Sequence, residues 1–218
     1  MWRADPPRRP GRAGAGSKTA TAYAREYPAW VSEPDRAVPV DVPFDRVLID
    51  TPDLVAYIGA LHVYPSGFRF TLSSQLRPTA SAEAVNLLAE EFGRGLHQPI
   101  PAEQAERALR LGVRFADGRA CALNPNMRWL SNLWSRQGAV PSMRSDRHSN
   151  NSAAADCEVH VAGLPAEGPV TLFYRWLNLG VPEGSVELDG DALRSASGRA
   201  VVLWDPPTRQ AGSEDRPG

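Results

Sequence analysis

The chain has 218 residues, of which 42% are hydrophobic and 22% are charged, so it can bury one substantial core and we expect a single domain. Its formal net charge of -1 gives no electrostatic reason to expect nucleic acid, an anionic membrane or an acidic substrate as a partner. The sequence has no apolar run of about 18 residues and no apolar signal core at its N-terminus, which favours a cytoplasmic protein with no membrane partner.

Residues 1–40 are rich in Pro, Arg, Gly and Ala and show no sustained hydrophobic period, which predicts a disordered arm. Its arginines could touch phosphates, but a short basic terminus is usually only solvated, so we do not expect nucleic acid binding. Tyr23, Tyr27 and Trp30 are unusual in such an arm, and their rings could lie against the folded body.

The stretch Leu54 to Arg77 is the clearest signal, and it predicts a β-hairpin around Pro65-Ser66-Gly67. In the second arm Phe70 and Ser74 fall on a mostly apolar face that alternates with a polar one. The first arm is apolar on both faces, with Leu61 and Val63 opposite to Leu54, so it should be a central strand. A short strand over Phe44 to Asp50 precedes the hairpin.

A short amphipathic helix should follow, because Ser81 is a suitable N-cap and Ala84, Leu87, Leu88 and Phe92 share one helical face. A second hairpin is predicted over Leu109 to Leu123, since apolar and polar residues alternate up to Asp117-Gly118, a dipeptide favoured in tight turns.

Residues 124–156 are polar and largely aperiodic, which predicts one long loop. Trp129 and Trp134 lie in it, at a spacing that could place them on one side of a helical turn. They are either a plug over the core, the alternative favoured by the aggregation cost of exposed tryptophan, or anchors that bind a partner.

The last part of the domain should contain a third strand pair, Cys157 to Leu164 and Val170 to Leu177, and a final strand over Ser185 to Leu188. Asp189 or Asp191 should then cap a helix that continues to Trp204. Asp205-Pro206-Pro207 would stop this helix, so the domain spans residues 41–205 and residues 206–218 form a disordered tail.

Several motifs in this half resemble those of a group of uncharacterised actinobacterial proteins. They are LGVRFADGR in the second hairpin, the turn Gly163-Leu164-Pro165-Ala166 where that group has a PLPP-type turn, a strand ending in Trp176, and a C-terminal helix ending in Leu203-Trp204. The resemblance runs from about Val40 to Trp204 and implies the same architecture. It implies no activity, because none is known for that group.

The residue types that carry chemistry do not form a recognisable set. The four histidines, His62, His97, His148 and His160, have no metal-ligand spacing, and we expect His62 at the core or rim and His160 facing solvent. GxSxG and glycine-rich phosphate loops do not occur. The acidic groups at Glu90-Glu91 and between Glu183 and Asp191 resemble ordinary solvated carboxylates. We therefore assign no catalytic, cofactor-binding or metal residue and no cofactor.

Cys121 and Cys157 are the only cysteines, and they lack both a CxxC spacing and a second pair. Two free thiols are the expected state in a reducing compartment, with a bridge between them as the alternative.

These patterns together predict a mainly β protein, an antiparallel two-layer β-sandwich of the immunoglobulin type or a similar one, with two short helices at its edges. The missing catalytic set and the tryptophan-bearing loop favour a non-catalytic protein-interaction or scaffold module, with Trp129 and Trp134 as candidate contacts to an unknown protein partner. An enzyme whose site is assembled entirely by tertiary contacts is the alternative.

Overall fold

The computed structural model describes residues 33–93, 102–123, 142–150 and 153–204. Within them the helices are α1 (Glu33–Arg36), α2 (Ala82–Gly93), α3 (Ala102–Arg107) and α4 (Gly190–Ser197). The strands are β1 (Ala37–Val38), β2 (Val40–Asp50), β3 (Leu54–Tyr64), β4 (Gly67–Leu76), β5 (Arg110–Phe115), β6 (Ala120–Ala122), β7 (Ser142–Asn150), β8 (Ala154–Ala162), β9 (Val170–Trp176), β10 (Val181–Leu188) and β11 (Val201–Val202).

Two antiparallel sheets form the body, and their inner faces share one hydrophobic core. One sheet has the order β2-β3-β4-β8-β7 and the other has the order β10-β9-β5-β6. At the sheet edges β2 lies beside β10, and β6 lies beside β7. The two-layer sandwich predicted from the alternation is therefore confirmed. The strand order differs from that of the immunoglobulin fold, because β2, β3 and β4 are consecutive neighbours in one sheet.

The central hairpin is confirmed as β3 and β4, with Leu54 opposite Leu76 and Tyr64 opposite Gly67. The pairing shifts between Tyr57 and Leu61, where β3 carries one extra residue. Such a bulge reverses the side-chain alternation of the strand. For this reason Leu61 and Val63 join Leu54 in the core, whereas the uninterrupted alternation had placed them on the opposite face.

Two further predicted elements have the expected signals. Ser81 caps α2, and its hydroxyl oxygen accepts a hydrogen bond from the Ala84 backbone N–H at 3.2 Å. The β5–β6 hairpin turns at Gly118, whose φ of 87° is in the left-handed region that favours glycine. Helix α3 lies between α2 and the β5–β6 hairpin in the chain, and the sequence did not predict it.

The two cysteines, Cys121 and Cys157, are free thiols, which is the expected state.

The folded body begins earlier than the predicted boundary of the N-terminal arm. Ala37 is buried, and the carboxylate of Glu33 is held at the hairpin turn by Ser66. Residues 33–40 are held by these few isolated contacts and not by a continuous apolar face, so their sequence shows no hydrophobic period. For that reason the sequence predicts an arm there. The remaining arm, including Tyr23, Tyr27 and Trp30, lies outside the described residues, as does the tail at 206–218.

The prediction of one loop over residues 124–156 is wrong in its second half. Residues 142–150 form β7 and residues 154–162 form β8, which pairs with both β4 and β7. The polar sequence of β7 has no alternation that would mark a strand. Its strand conformation comes from pairing with the next strand, β8, which is itself held in the sheet by the distant strand β4, a tertiary effect that local propensity does not report.

The C-terminal helix is shorter than predicted. Asp189 caps it, with its carboxylate accepting from the backbone N–H groups of Asp191 and Ala192 at 2.9 Å and 3.0 Å. The helix ends at Ser197, and the chain then becomes extended in β11, which pairs with β1. The apolar residues after Ser197 continue the helical spacing only by coincidence. The β-branched pair Val201-Val202 favours the extended state once a strand partner is present.

Candidate interaction surface

The two-stranded ribbon of β1 and β11 stands where the chain enters and leaves the sandwich. Ala37 lies opposite Val202, and Val38 lies opposite Val201. The ribbon is extended by one more bond, in which the Leu203 backbone N–H donates to the carbonyl oxygen of Arg36 at 2.8 Å. The guanidinium of Arg36 also donates to the carbonyl oxygen of Trp204 at 3.4 Å.

The hydrogen-bond pattern of this ribbon leaves the backbone of Val202 pointing outward. Opposed residues in an antiparallel pair alternate between those that exchange backbone bonds and those that do not. Since Leu203 bonds Arg36, the pair Val38 and Val201 is also a bonded pair, and the intervening pair of Ala37 and Val202 is not. The N–H and C=O of Val202 therefore face the outer edge of β11, which has no strand partner among the described residues.

Most of the large exposed apolar side chains of the described residues gather on this ribbon. We call these five the apolar ribbon: Val38 (49% exposed), Val201 (56%), Val202 (52%), Leu203 (51%) and Trp204 (57%). The sixth large exposed apolar side chain in the described ranges, Val47, is 60% exposed and lies on β2, seven residues after that strand begins. Single exposed apolar residues are ordinary, but a contiguous group marks a contact surface.

The ribbon is anchored to the body through α1. The Glu33 carboxylate accepts from the Ser66 backbone N–H at 3.1 Å and from the Ser66 hydroxyl at 2.6 Å. Burial raises the pKa of Glu33 above its ordinary value, although the two bonds from Ser66 and the charge of Arg36 act in the opposite direction. A buried carboxylate thus fixes the start of the ribbon to the turn of the central hairpin.

A cleft of about 360 Å³ lies between α2, α3 and the turn after β9. It is lined by charged and polar groups that include Glu90, Glu91, Glu103 and Arg107. Glu91 is 6% exposed, and its carboxylate accepts from the Leu109 backbone N–H and from the indole N–H of Trp176, each at 2.7 Å. The buried carboxylate of this cleft therefore joins α2 to the residue before β5 and to the last residue of β9, which is a structural role.

A shallow depression lies on the smaller sheet over Gly112, with Arg114 and Phe173 at its wall. The Arg114 guanidinium carbon is 4.9 Å from the centre of the Phe173 ring, so this aromatic surface is already partly covered. Cys121 is part of the lining, and burial raises the pKa of its thiol to about 12. A thiol with that pKa is protonated at neutral pH and is therefore a poor nucleophile.

His62 and His160, the two histidines whose side chains the structure describes, lie in different environments. His62 lies at the rim of the larger sheet, where its Nδ1 is 2.6 Å from the carboxylate of Asp41. The prediction that His160 faces solvent is wrong, because the side chain is completely buried beside Tyr64, with ring centres 5.9 Å apart. Tyr64 and Arg69 lie on the same outer face of the sheet as His160 and shield its ring from water. The Arg69 guanidinium lies over the Tyr64 ring.

No group of three or more His, Cys, Asp or Glu within the described ranges is arranged to hold a metal ion. In the same part of the chain, the helices are all too short or too polar to cross a membrane. Trp129 and Trp134, the contacts predicted from the sequence, lie outside the described residues.

Sequence reasoning missed the apolar ribbon because it extended the last helix through it. The signal that could have revealed it is Val201-Val202, a β-branched pair that begins three residues after Gly198 and lies shortly before Pro206-Pro207. Comparison of the chain with protein families, curated proteins and solved structures gave no match. The resemblance to the actinobacterial group therefore stays a prediction.

Proposed function

We propose that this chain is a non-catalytic protein-interaction module and that the apolar ribbon is its docking element. The observation that carries the proposal is the exposure of five apolar side chains on the two faces of a ribbon whose outer backbone edge has no strand partner in the described ranges. Tryptophan is enriched among the residues that contribute most to the affinity of protein interfaces, and burial of the surrounding aliphatic area adds to the driving force. The Glu33 anchor and the Leu203 backbone bond give the ribbon that support.

The test compares two full-length variants that each place a charge at an exposed apolar position. Leu203→Asp alters the apolar ribbon, and Val47→Asp alters a similarly exposed valine on β2, outside the ribbon. Immobilised wild type and Val47→Asp should retain the same proteins from an extract of the source cell, and Leu203→Asp should lose them. All three proteins should have the same melting temperature. Retention of the same proteins by Leu203→Asp would contradict the assignment.

Trp129 and Trp134 are proposed as a second pair of contacts, on the sequence argument alone. If they are anchors, the double variant Trp129→Ala/Trp134→Ala should keep its melting temperature and lose bound protein, because loops on rigid scaffolds commonly carry binding groups. If they are a plug over the core, the same variant should lose about 3 kcal/mol or more of stability. Thermal unfolding measured beside retention separates the two cases.

An enzymatic role would use a site such as the cleft beside α2 and α3, where the carboxylates of Glu90, Glu91 and Glu103 lie. Glu91 is occupied by two structural hydrogen bonds, so its substitution would be expected to unfold the protein before it reported on chemistry. The geometry supports this role less well than docking.

A further inference from the structure

We infer that the apolar ribbon recognises a second copy of this chain, through antiparallel pairing of the two β11 strands about a two-fold axis at Val202. This pairing rests on the proposed function in one respect, because it requires the apolar ribbon to be a docking surface. It adds the identity of a partner and the geometry of its recognition.

The backbone of β11 is complementary to itself. The N–H and C=O of Val202 point away from β1, and an antiparallel neighbour presents the same groups in return. A two-fold axis at Val202 makes it a bonded pair with Val202 of the second copy, as an isologous contact requires. The result is a four-stranded antiparallel arrangement with the order β1-β11-β11-β1.

The exposed side chains of the ribbon are also placed suitably for this two-fold axis. Val201 and Leu203 lie two residues apart on the strand and therefore on one face, together with Val38, which is directly opposite Val201. The axis places Val201 across from Leu203 of the second copy. Three side chains that are each about half exposed thus become a cluster of six across the contact.

Other strands at sheet edges carry features that hinder such pairing, and β11 does not. In β2 the register shifts twice, and the strand contains Pro43 and Asp45, whose φ is 45°. In β10 Pro182 and Glu183 coincide with another register shift. Proline, charge and bulges are the usual protection of an edge. From Val201 to Trp204 the sequence has none of them.

The size of the contact sets the strength of the association. One face of a short ribbon buries less than the roughly 1,200 Å² in total at which specific stable interfaces begin. The dimer should therefore be weak and reversible, with monomer dominating in dilute solution. Concentration is consequently the variable that the experiment must change.

Sedimentation velocity on the full chain, from about 10 μM to about 1 mM, a range chosen to span weak association, should show a rising share of dimer. Val202→Pro should abolish this rise, because it removes the outward N–H of β11 and leaves the bonds between β1 and β11 intact. Val201→Lys should abolish it as well by placing a charge in the apolar cluster. Val47→Asp is the control and should dimerise like wild type.

A chain that stays monomeric across the series overturns the inference, and so does dimerisation by Val201→Lys equal to that of wild type. If Val202→Pro disturbs the ribbon, Val201→Lys still decides, since its side chain is half exposed in the monomer. A monomeric wild type that nevertheless retains extract proteins in a Leu203-dependent way sinks the dimer and supports the proposed function. A dimer unaffected by both ribbon variants places the contact elsewhere and overturns the inference, while the retention test with Leu203→Asp still decides the proposed function.

Discussion

The central hairpin and the apolar ribbon are both antiparallel pairs, but they are fixed by opposite means. In the hairpin, alternating apolar side chains such as Phe68 and Phe70 are completely buried between the two sheets. In the ribbon only Ala37 is buried, and the pair is held by a few backbone bonds and by the carboxylate of Glu33. Burial of apolar area thus determines the hairpin, whereas the ribbon keeps its apolar area available for contact.

The largest expected effect tests the hairpin side of this contrast. Phe70→Asp should cost about 4 kcal/mol or more, because it removes a fully buried ring and places a carboxylate in the core. Gln75→Ala on the same strand, at an exposed position, should change the free energy of unfolding by less than about 0.5 kcal/mol. Denaturant unfolding of both variants provides the measurement, and equal losses would show that the strand phase is wrong.

Arg69 lies on the polar face of the same strand, but it would be a poorer control for Phe70→Asp than Gln75 is. It pairs with Glu158 at 3.0 Å and lies over Tyr64, with both charged side chains only about a quarter exposed or less. Arg69→Ala should therefore cost about 1 kcal/mol, in the range of a partly buried ion pair.

The next effect concerns Glu33, which joins the two regions. Because its pKa is raised in the folded state, that state binds the proton more tightly than the unfolded chain. The stabilisation linked to this proton is complete below the unfolded pKa of about 4.3 and is lost as pH rises through the higher folded pKa. Wild type should thus lose stability relative to Glu33→Gln over that interval. Parallel curves of unfolding free energy against pH would show that Glu33 is not a buried acid.

A smaller effect, of opposite sign, is expected in the hairpin core. Ser74 is 1% exposed, and within the described part of the chain its hydroxyl has no hydrogen-bond partner. Ser74→Ala removes this unpaired group from between Ala56 and Ala155, so we expect stabilisation of up to about 1 kcal/mol. Loss of stability in thermal unfolding would indicate that the hydroxyl is bonded. Ser73→Ala, on the opposite face of the strand, is the matched control.

The smallest effect belongs to the ribbon. Trp204→Ala should alter the free energy of unfolding by no more than about 0.5 kcal/mol, since a half-exposed side chain away from the core contributes little to folding. Denaturant unfolding of dilute protein is the measurement, because dimer formation would add concentration-dependent stability. A loss of 2 kcal/mol or more would place Trp204 in the core and remove it from the docking surface.

The same contrast explains what the sequence could predict. Phe70, Ser81 and Gly118 carry local information, namely alternation, a cap and a turn, and each element was predicted from it. The ribbon pairs segments that are far apart in the chain, which no window of residues contains, whereas the bulge in β3 and the strand β7 depend on backbone pairing that the side-chain alternation does not report. The candidate surface was missed for that reason, and the chosen contacts, Trp129 and Trp134, lie outside the described residues.

The pairing of β1 with β11 also determines how the molecule would respond to tension. The segment before Arg36 and the segment after Leu203 leave the same end of the ribbon. A pull on the two chain ends would first load the outermost contacts, the bonds from Ser66 to Glu33 and from Arg36 to Trp204, and then the backbone bonds of the ribbon one after another, as in a zipper. Once Glu33 had left the hairpin turn, the ribbon would open at low force and add slack before the strands of the sandwich were loaded.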